Sequence, residues 1–177
     1  TSLSCLQYLN NQSFTVKTVV LRVDVDRSIN KSLKMAKIFK KYNINATFFF
    51  RLHSPYYNIL SFQSMKTLQE IEKMGFEIGL HFDPTAYGDV RDEGLVNYQV
   101  EKEVNTLEFI IGKKIETISV HNPSVHGIYP SFDGYNNTYS NLFSDDNYIS
   151  DSCMNFRGKD PFEFTKKVKD SPIQIVL

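Results

Sequence analysis

The chain has 177 residues, of which 41% are hydrophobic and 23% charged, values that suit one globular domain and exclude a disordered or fibrous chain. Folding at this length buries roughly 70% of the unfolded chain's surface, so a full core forms without staples. Twenty Lys and Arg balance twenty Asp and Glu, so no overall charge draws the protein to nucleic acid or to an anionic membrane. Cys5 and Cys153 are too few and too far apart for a disulfide framework or a cysteine zinc site. No apolar run approaches the roughly 18 residues of a membrane span, and no charged-then-apolar leader opens the chain, so a soluble, cytoplasmic protein is expected.

In chain order, TVVLRVDV at residues 18–25 is β-branched and nearly all apolar, the pattern of a strand buried on both faces in a parallel sheet. Met35, Ile38, Phe39 and Tyr42 follow at helical spacing, with Lys34, Lys37 and Lys41 on the opposite face. A second strand is expected in ATFFF at 46–50. Met65, Leu68, Ile71 and Met74 then mark a helix that Ser64 caps and Gly75 ends. FEIGL at 76–80 reads as a third strand. Val96, Val100, Val104, Leu107 and Ile111 stripe a long helix closed by Gly112, and ETISV at 116–120 is a fourth strand. Between residues 123 and 147 the periodicity fails, which predicts a long ordered loop. A strand at 147–150, a short helix at 161–169 and a strand at 173–177 complete the chain. The β-α alternation predicts a single α/β domain, with an open doubly wound sheet and a barrel both compatible.

Unusual polar residues fall at the ends of these strands: Asp24 and Asp26 after the first, His81 and Asp83 after the third, His121 after the fourth and Asp151 after the fifth. In parallel α/β folds the C-terminal strand ends share one mouth, so these residues converge. Two imidazoles with several carboxylates suit a divalent ion, zinc being the commonest occupant of mixed His and Asp shells, and a metal hydrolase is the natural reading. Each residue also has a plain structural role open to it. Asp26 could cap the next helix, and Arg22, two residues before Asp24 on the same face, could hold it in a salt bridge. His53 and His126 read as surface residues. The tyrosine-rich stretch from Tyr129 to Tyr148 could stack sugar rings but is better explained by packing. Three Asn-x-Ser/Thr matches, at Asn11, Asn45 and Asn136, are discounted as chance.

The segments RVDVD (22–26), NATFFF (45–50), EIGLHFD (77–83) and SVHNPS (119–124) resemble, in order and spacing, the polysaccharide deacetylase family, carbohydrate esterases that remove N- or O-acetyl groups from sugars. The likeness runs from about Val19 to the chain end. It is greater to a sugar-biosynthesis subset with an Arg-x-Asp-Val-Asp start and a Gly-Leu-His-Tyr/Phe-Asp middle. The resemblance implies a distorted, incomplete (β/α) barrel of six to seven parallel strands. It implies one catalytic domain over residues 1–177, a divalent metal, and a carbohydrate substrate. Asp24 matches the family's general base and Asp26 its metal-binding Asp, although the inserted Val25 leaves the two roles exchangeable. His81 matches the first ligand histidine. Thr85 stands where the family has the second, so His121 is assigned as the missing imidazole, with Asp83 as the alternative. Asp151 is a further candidate. The family's final Leu-x-His, its general acid, is not reached before Leu177, which reads as a truncated C-terminus or an absent acid.

The expected function is metal-dependent removal of an acetyl group from a carbohydrate, in surface polysaccharide or nucleotide-sugar metabolism. The metal would acidify a water and polarise the acetyl carbonyl while Asp24 takes the proton. One rival is a haloacid dehalogenase-type phosphatase using Asp24 and Asp26, with Ser144-Asp145-Asp146 as downstream magnesium ligands; it leaves His81 and His121 unexplained. The other is an inactive carbohydrate-binding module on the deacetylase scaffold, which Thr85 and the missing terminal His favour.

Overall fold

The structure is a computed structural model that describes residues 1–11, 17–88, 93–127, 129–138, 147–151, 156–167 and 172–177. Strands β1 (Ser2–Leu3), β2 (Val19–Val25), β3 (Thr47–Phe50), β4 (Glu77–Phe82), β5 (Thr117–Val120), β6 (Asn136–Asn137), β7 (Tyr148–Ser150) and β8 (Ile173–Val176) are interleaved with helices α1 (Cys5–Leu9), α2 (Ile29–Lys41), α3 (Phe62–Lys73), α4 (Glu93–Ile111), α5 (Pro123–His126) and α6 (Pro161–Lys167). All pairings are parallel, and seven strands follow the order β6-β5-β4-β3-β2-β8-β7, with β1 added to the start of β2. That order decides between the two architectures left open by the alternation. Steps from β2 to β6 and from β7 to β8 advance in one direction, and the last strand pairs with β2. Right-handed crossovers that keep advancing one way place their helices on one side of the sheet and curl it, whereas a doubly wound sheet reverses direction. The result is a distorted, incomplete (β/α) barrel, open between β6 and β7.

Alternation along the strands separates two interiors. Leu21, Val23, Val25, Phe48, Phe50, Ile78, Leu80, Phe82, Ile118 and Val120 face the helices and form the main core with Ala36, Phe39, Leu68, Ile71, Val100, Val104 and Leu107. Phe48 packs between Phe39 and Phe76, with ring centroids 6.1 and 5.3 Å away. The concave side is polar instead: Arg22, Thr47, His81, Thr117, Ser119 and Gln174 are buried there, and Glu77 is half-buried. Its base is closed by α1. Ser4 caps that helix in a capping box with Gln7, Cys5 packs on Val20 and Phe49, and Glu77 accepts hydrogen bonds from the Leu6 amide and the Thr47 hydroxyl. Gly79 is required beside Phe49, because a Cβ there would sit 2.4 Å from the ring.

All six expected strands are present, with ends shifted by a residue or two; β4 runs on through His81 and Phe82, so His81 lies on the strand rather than after it. Three local expectations change. Of the expected stripe on α2, Phe39 is buried and Met35 packs against the core, while Ile38 and Tyr42 are exposed and Ile29, Ser32 and Ala36 complete the buried face. The cap of α3 is Ser61, which accepts from the Ser64 amide and adds a turn before the expected start. The stretch expected as loop contains α5 and β6; residues 139–146 lie outside the described part. Among the described residues no helix is long and apolar enough to cross a membrane.

Candidate active site

The C-terminal ends of β2 to β5 lie side by side, and their register carries the strand-end residues into one pocket. Val25 pairs with Phe50, Phe50 with Leu80, and Phe82 with Val120, so Asp26, Arg51, His81 and His121 follow on neighbouring strands. Asp26 is not a cap. Ser28 caps α2 by accepting from the Lys31 amide, which leaves the Asp26 carboxylate free to face the mouth. After β5 the His121 amide donates to the Phe82 carbonyl, and Asn122 takes a left-handed conformation, φ +46°, that turns the chain into α5.

One oxygen or nitrogen from each of Asp26, His81 and His121 converges on a common point. His121 Nδ1 lies 3.0 Å from Asp26 Oδ1 and 3.1 Å from His81 Nε2, and His81 Nε2 lies 3.5 Å from Asp26 Oδ1. Donors held ~2.05 Å from one ion at tetrahedral angles are separated by about 3.3 Å, so the three atoms have the spacing of a divalent-metal ligand set. The other ring nitrogen of His81 faces Ser119, 3.3 Å from its carbonyl and 3.1 Å from its hydroxyl, the kind of partner that orients a ligating imidazole. Burial raises the Asp26 carboxyl, but hydrogen bonds and positive charge from His121 and His81 outweigh it and hold Asp26 well below the usual carboxylate range.

The remaining expected residues divide. Asp24 is gripped by Arg22: Nε donates to Oδ1 at 3.1 Å and Nη2 to Oδ2 at 2.7 Å. Arg22 is fully buried, and its Nη1 also donates to Thr138 Oγ1 at 3.0 Å while Nη2 donates to Ser119. The salt bridge read as an alternative for Asp24 is therefore present. It does not remove Asp24 from the site, since Oδ2 is 3.8 Å from His81 Nε2 and the carboxylate lines the same pocket. Asp83 does not join the three donors. It is bound by Arg51 Nη2, the Thr85 amide at 3.0 Å and the Thr85 hydroxyl at 2.7 Å. Burial raises its carboxyl, and the Thr85 hydrogen bonds and Arg51 charge more than offset this, holding it low. Thr85 is thus a partner of Asp83. Asp151 lines the pocket, and burial followed by the charges of Asp24 and Asp26 raises its carboxyl.

Tyr56, Tyr129 and Tyr148 line the pocket, with the Arg27 guanidinium 5.4 Å from the centre of the Tyr56 ring, whereas Tyr135 packs on the core. His53 is half-exposed and 2.7 Å from the Tyr87 hydroxyl, away from the pocket lining. The side chain of His126, and Ser144, Asp145, Asp146 and Cys153, lie outside the described residues. Arg51 is the site residue that the sequence pattern does not reveal. Its position just after an apolar strand, level with Asp26 and His81, is a signal only once the strands are known to be neighbours.

No family model matches the sequence, and no curated protein matches it. Solved structures do. A CE4 family pseudoenzyme from Bacillus anthracis is 12% identical with a TM-score of 0.59, the match covering 92% of this chain and 55% of that one. A polysaccharide deacetylase from Bacillus cereus is 14% identical with a TM-score of 0.61, covering 92% and 79%. A chitin deacetylase from the fungal pathogen Colletotrichum lindemuthianum is 14% identical with a TM-score of 0.58, covering 90% and 72%. The chain spans little more than half the length of the pseudoenzyme. At these identities the likeness defines the fold: the chain has the incomplete barrel of the polysaccharide deacetylases. That fold is shared by active deacetylases and a pseudoenzyme, so chemistry has to be argued from the site itself.

Proposed function

We propose that this chain carries a metal-dependent deacetylase site acting on an acetylated carbohydrate, and that RVDVD and GLHFD mark it as one of the sugar-biosynthesis type. The observation that carries this reading is the convergence of Asp26 Oδ1, His81 Nε2 and His121 Nδ1 to within 3.0 to 3.5 Å at the mouth of a deacetylase-fold barrel. A divalent ion held there, zinc by the mixed Asp and His donor set, would supply Lewis acidity toward an acyl carbonyl and make a water more acidic. The chain's own residues do the rest. Asp24 accepts the proton of the attacking water, its carboxylate plane fixed by Arg22. Water adds to the acyl carbon, the bond to the sugar nitrogen or oxygen breaks, and acetate leaves. Asp151 returns a proton to that atom, because its carboxyl is raised while Asp26 is lowered, the separation expected of an acid beside a ligand. Tyr56 and Tyr129, both largely exposed at the rim, present faces on which a sugar ring stacks.

The test combines metal content with acetate release from acetylated amino sugars. Wild type should hold one zinc and release acetate. His81→Ala should lose both, and Asp24→Asn should keep metal while turnover falls by roughly 10² or more. Metal loss in Asp24→Asn would make Asp24 a ligand in place of Asp26. A second reading rests on the Arg51 guanidinium at the centre, 3.4 Å from Asp26 Oδ1: a sugar-binding protein without hydrolytic activity. Sugar binding with no acetate release from zinc-loaded protein would favour it. Phosphate release dependent on magnesium would instead favour the phosphatase reading, which has to use Asp24 as a nucleophile despite its pairing with Arg22.

A further inference from the structure

The cavity does not end at the strand tips. Its wall continues along the loop after β2 and onto the first turns of α2, where Arg27, Lys31 and Met35 line it, and across to Tyr56 on the loop after β3. Lys31 and Met35 are four residues apart, so one helical face carries both into the cavity. The acids deeper in the cavity already have cationic or imidazole partners: Asp24 is gripped by Arg22, and Asp26 meets His81, His121 and Arg51. Arg27 and Lys31 are different. Both are exposed, and neither makes an ion pair among the described residues. The Arg27 guanidinium rests on the Tyr56 ring, 5.4 Å from its centre, which holds it at the rim and leaves its N–H groups open. From residue 27 to residue 42 the chain has six Lys and Arg and no Asp or Glu, although the charges of the whole protein cancel. Helix stability alone selects the opposite arrangement. A cation in the first turn opposes the helix dipole, like charges three or four apart repel, and the first turn of α2 contains no acid to offset either cost. An anion bound between Arg27 and Lys31 offsets both.

We propose that Arg27 and Lys31 form an anion subsite, and that the sugar this cavity takes carries a phosphate or a carboxylate beside its acetyl group. This rests on the reading above that an acetylated sugar occupies the cavity. The guanidinium fork of Arg27 matches two oxygens of either anion, and Lys31 adds a point charge one helical turn along. Arg27 directly follows Asp26, so their Cα atoms are about 3.8 Å apart. That proximity puts the anion on the acetylated sugar itself or on a group bonded to it, rather than on a distant unit of a polymer. Arg27 occupies one face of Tyr56, and the other face is left for the sugar ring.

Calorimetric titration of the zinc-loaded protein with N-acetylglucosamine, N-acetylglucosamine 1-phosphate and N-acetylglucosaminuronic acid reads the subsite directly. At low salt at least one of the two anionic sugars should bind roughly 10 to 100 times tighter than the neutral one, the scale of one or two charge-assisted hydrogen bonds. Whichever of the two gains identifies the anion as phosphate or carboxylate. The gain should shrink as salt is added, because both cations are exposed. Arg27→Gln with Lys31→Gln alters two exposed side chains and should bring all three sugars to the same affinity. Lys40→Gln with Lys41→Gln, the same change in charge at the far end of α2, should leave the preference intact. Equal affinities in wild type overturn the inference. A preference that survives in Arg27→Gln with Lys31→Gln overturns it too, since the anion then sits at the metal centre. Acetate release from the same samples keeps the two readings apart. Release from all three sugars without any preference in binding leaves the deacetylase reading and removes the subsite. A preference that depends on Arg27 and Lys31 without acetate release supports the subsite in a sugar-binding protein and removes the deacetylase. If none of the sugars binds, both fall.

Discussion

Replacing Arg22 with Met removes the charge that holds Asp24 while keeping most of the side chain's volume. Arg22 is completely buried and the Asp24 side chain is 15% exposed, so the variant leaves a carboxylate without its bidentate partner in a largely dry interior. Breaking a buried pair by removing one member costs roughly 3–5 kcal/mol. The partial exposure of Asp24 lets water recover some of this, and the Ser119 hydroxyl keeps its contact with His81, so the low end, about 3 kcal/mol, is expected. In a domain of this size that lowers Tm by about 6–12 °C. Asp24→Asn should cost as much or more, because it strands a fully buried guanidinium. Urea unfolding of wild type, both single variants and the double variant gives the coupling energy, expected to be at least about 2 kcal/mol in favour of the pair. A loss under 1 kcal/mol for Arg22→Met, or additive single losses, would refute the claim that this pair organises the barrel interior.

Gly79→Ala should destabilise by about 1–3 kcal/mol in thermal unfolding, since its Cβ would meet the Phe49 ring at 2.4 Å and the Thr117 carbonyl at 3.0 Å inside the barrel. Glu103 on α4 is buried, with its Oε1 accepting from the Tyr87 hydroxyl at 2.5 Å and its Oε2 without a partner. Burial first, and the Asp83 charge second, push its carboxyl up from 4.5 to about 7 against the opposing effects of Tyr87 and Arg51. A carboxyl raised on folding keeps a proton that the unfolded chain has lost, so it withdraws up to ~3 kcal/mol of stability as pH rises from 4.5 through about 7. Glu103→Gln should flatten that limb in denaturant titrations at pH 5 and pH 8, and an unchanged slope would exclude Glu103 as its source. Asp151→Asn should leave zinc content intact and reduce acetate release from an N-acetylated sugar by roughly 10². It should have less effect on an ester with a leaving group that needs no protonation, and equal losses on both substrates would remove Asp151 as the acid.

The strands and the long helices were legible along the chain because each obeys a short-range rule. β-Branched and aromatic runs such as TVVLRVDV and ATFFF suit a strand buried on both sides, and Val96, Val100, Val104 and Leu107 repeat at the helical period. The coincidence of Asp26, His81 and His121 at strand ends was also visible, since parallel strands direct their C-terminal ends to one mouth whatever their order. Even the Arg22 pairing with Asp24 could be read, because residues two apart on a strand share a face. Strand order was not legible: alternation of β and α is common to doubly wound sheets and barrels, and only the pairing of β8 with β2 and the opening beside β6 and β7 separates them. The face of α2 was legible only in part, through Met35 and Phe39. Whether Ala36 or Ile38 also meets the sheet depends on how closely the helix approaches, and close approach favours the smaller residue. Arg51, Ser119 and Asp151 acquire their roles through partners 25 to 127 residues distant in sequence, from Asp26 beside Arg51 to Asp24 near Asp151, and hydrogen-bond partners at such separations are set by register and curvature. Composition and period determined the elements and the end of the barrel where chemistry is possible; the tertiary structure alone decided how closely one donor atom each of Asp26, His81 and His121 approach one another and that an arginine, Arg51, stands behind His121, because both depend on register and curvature.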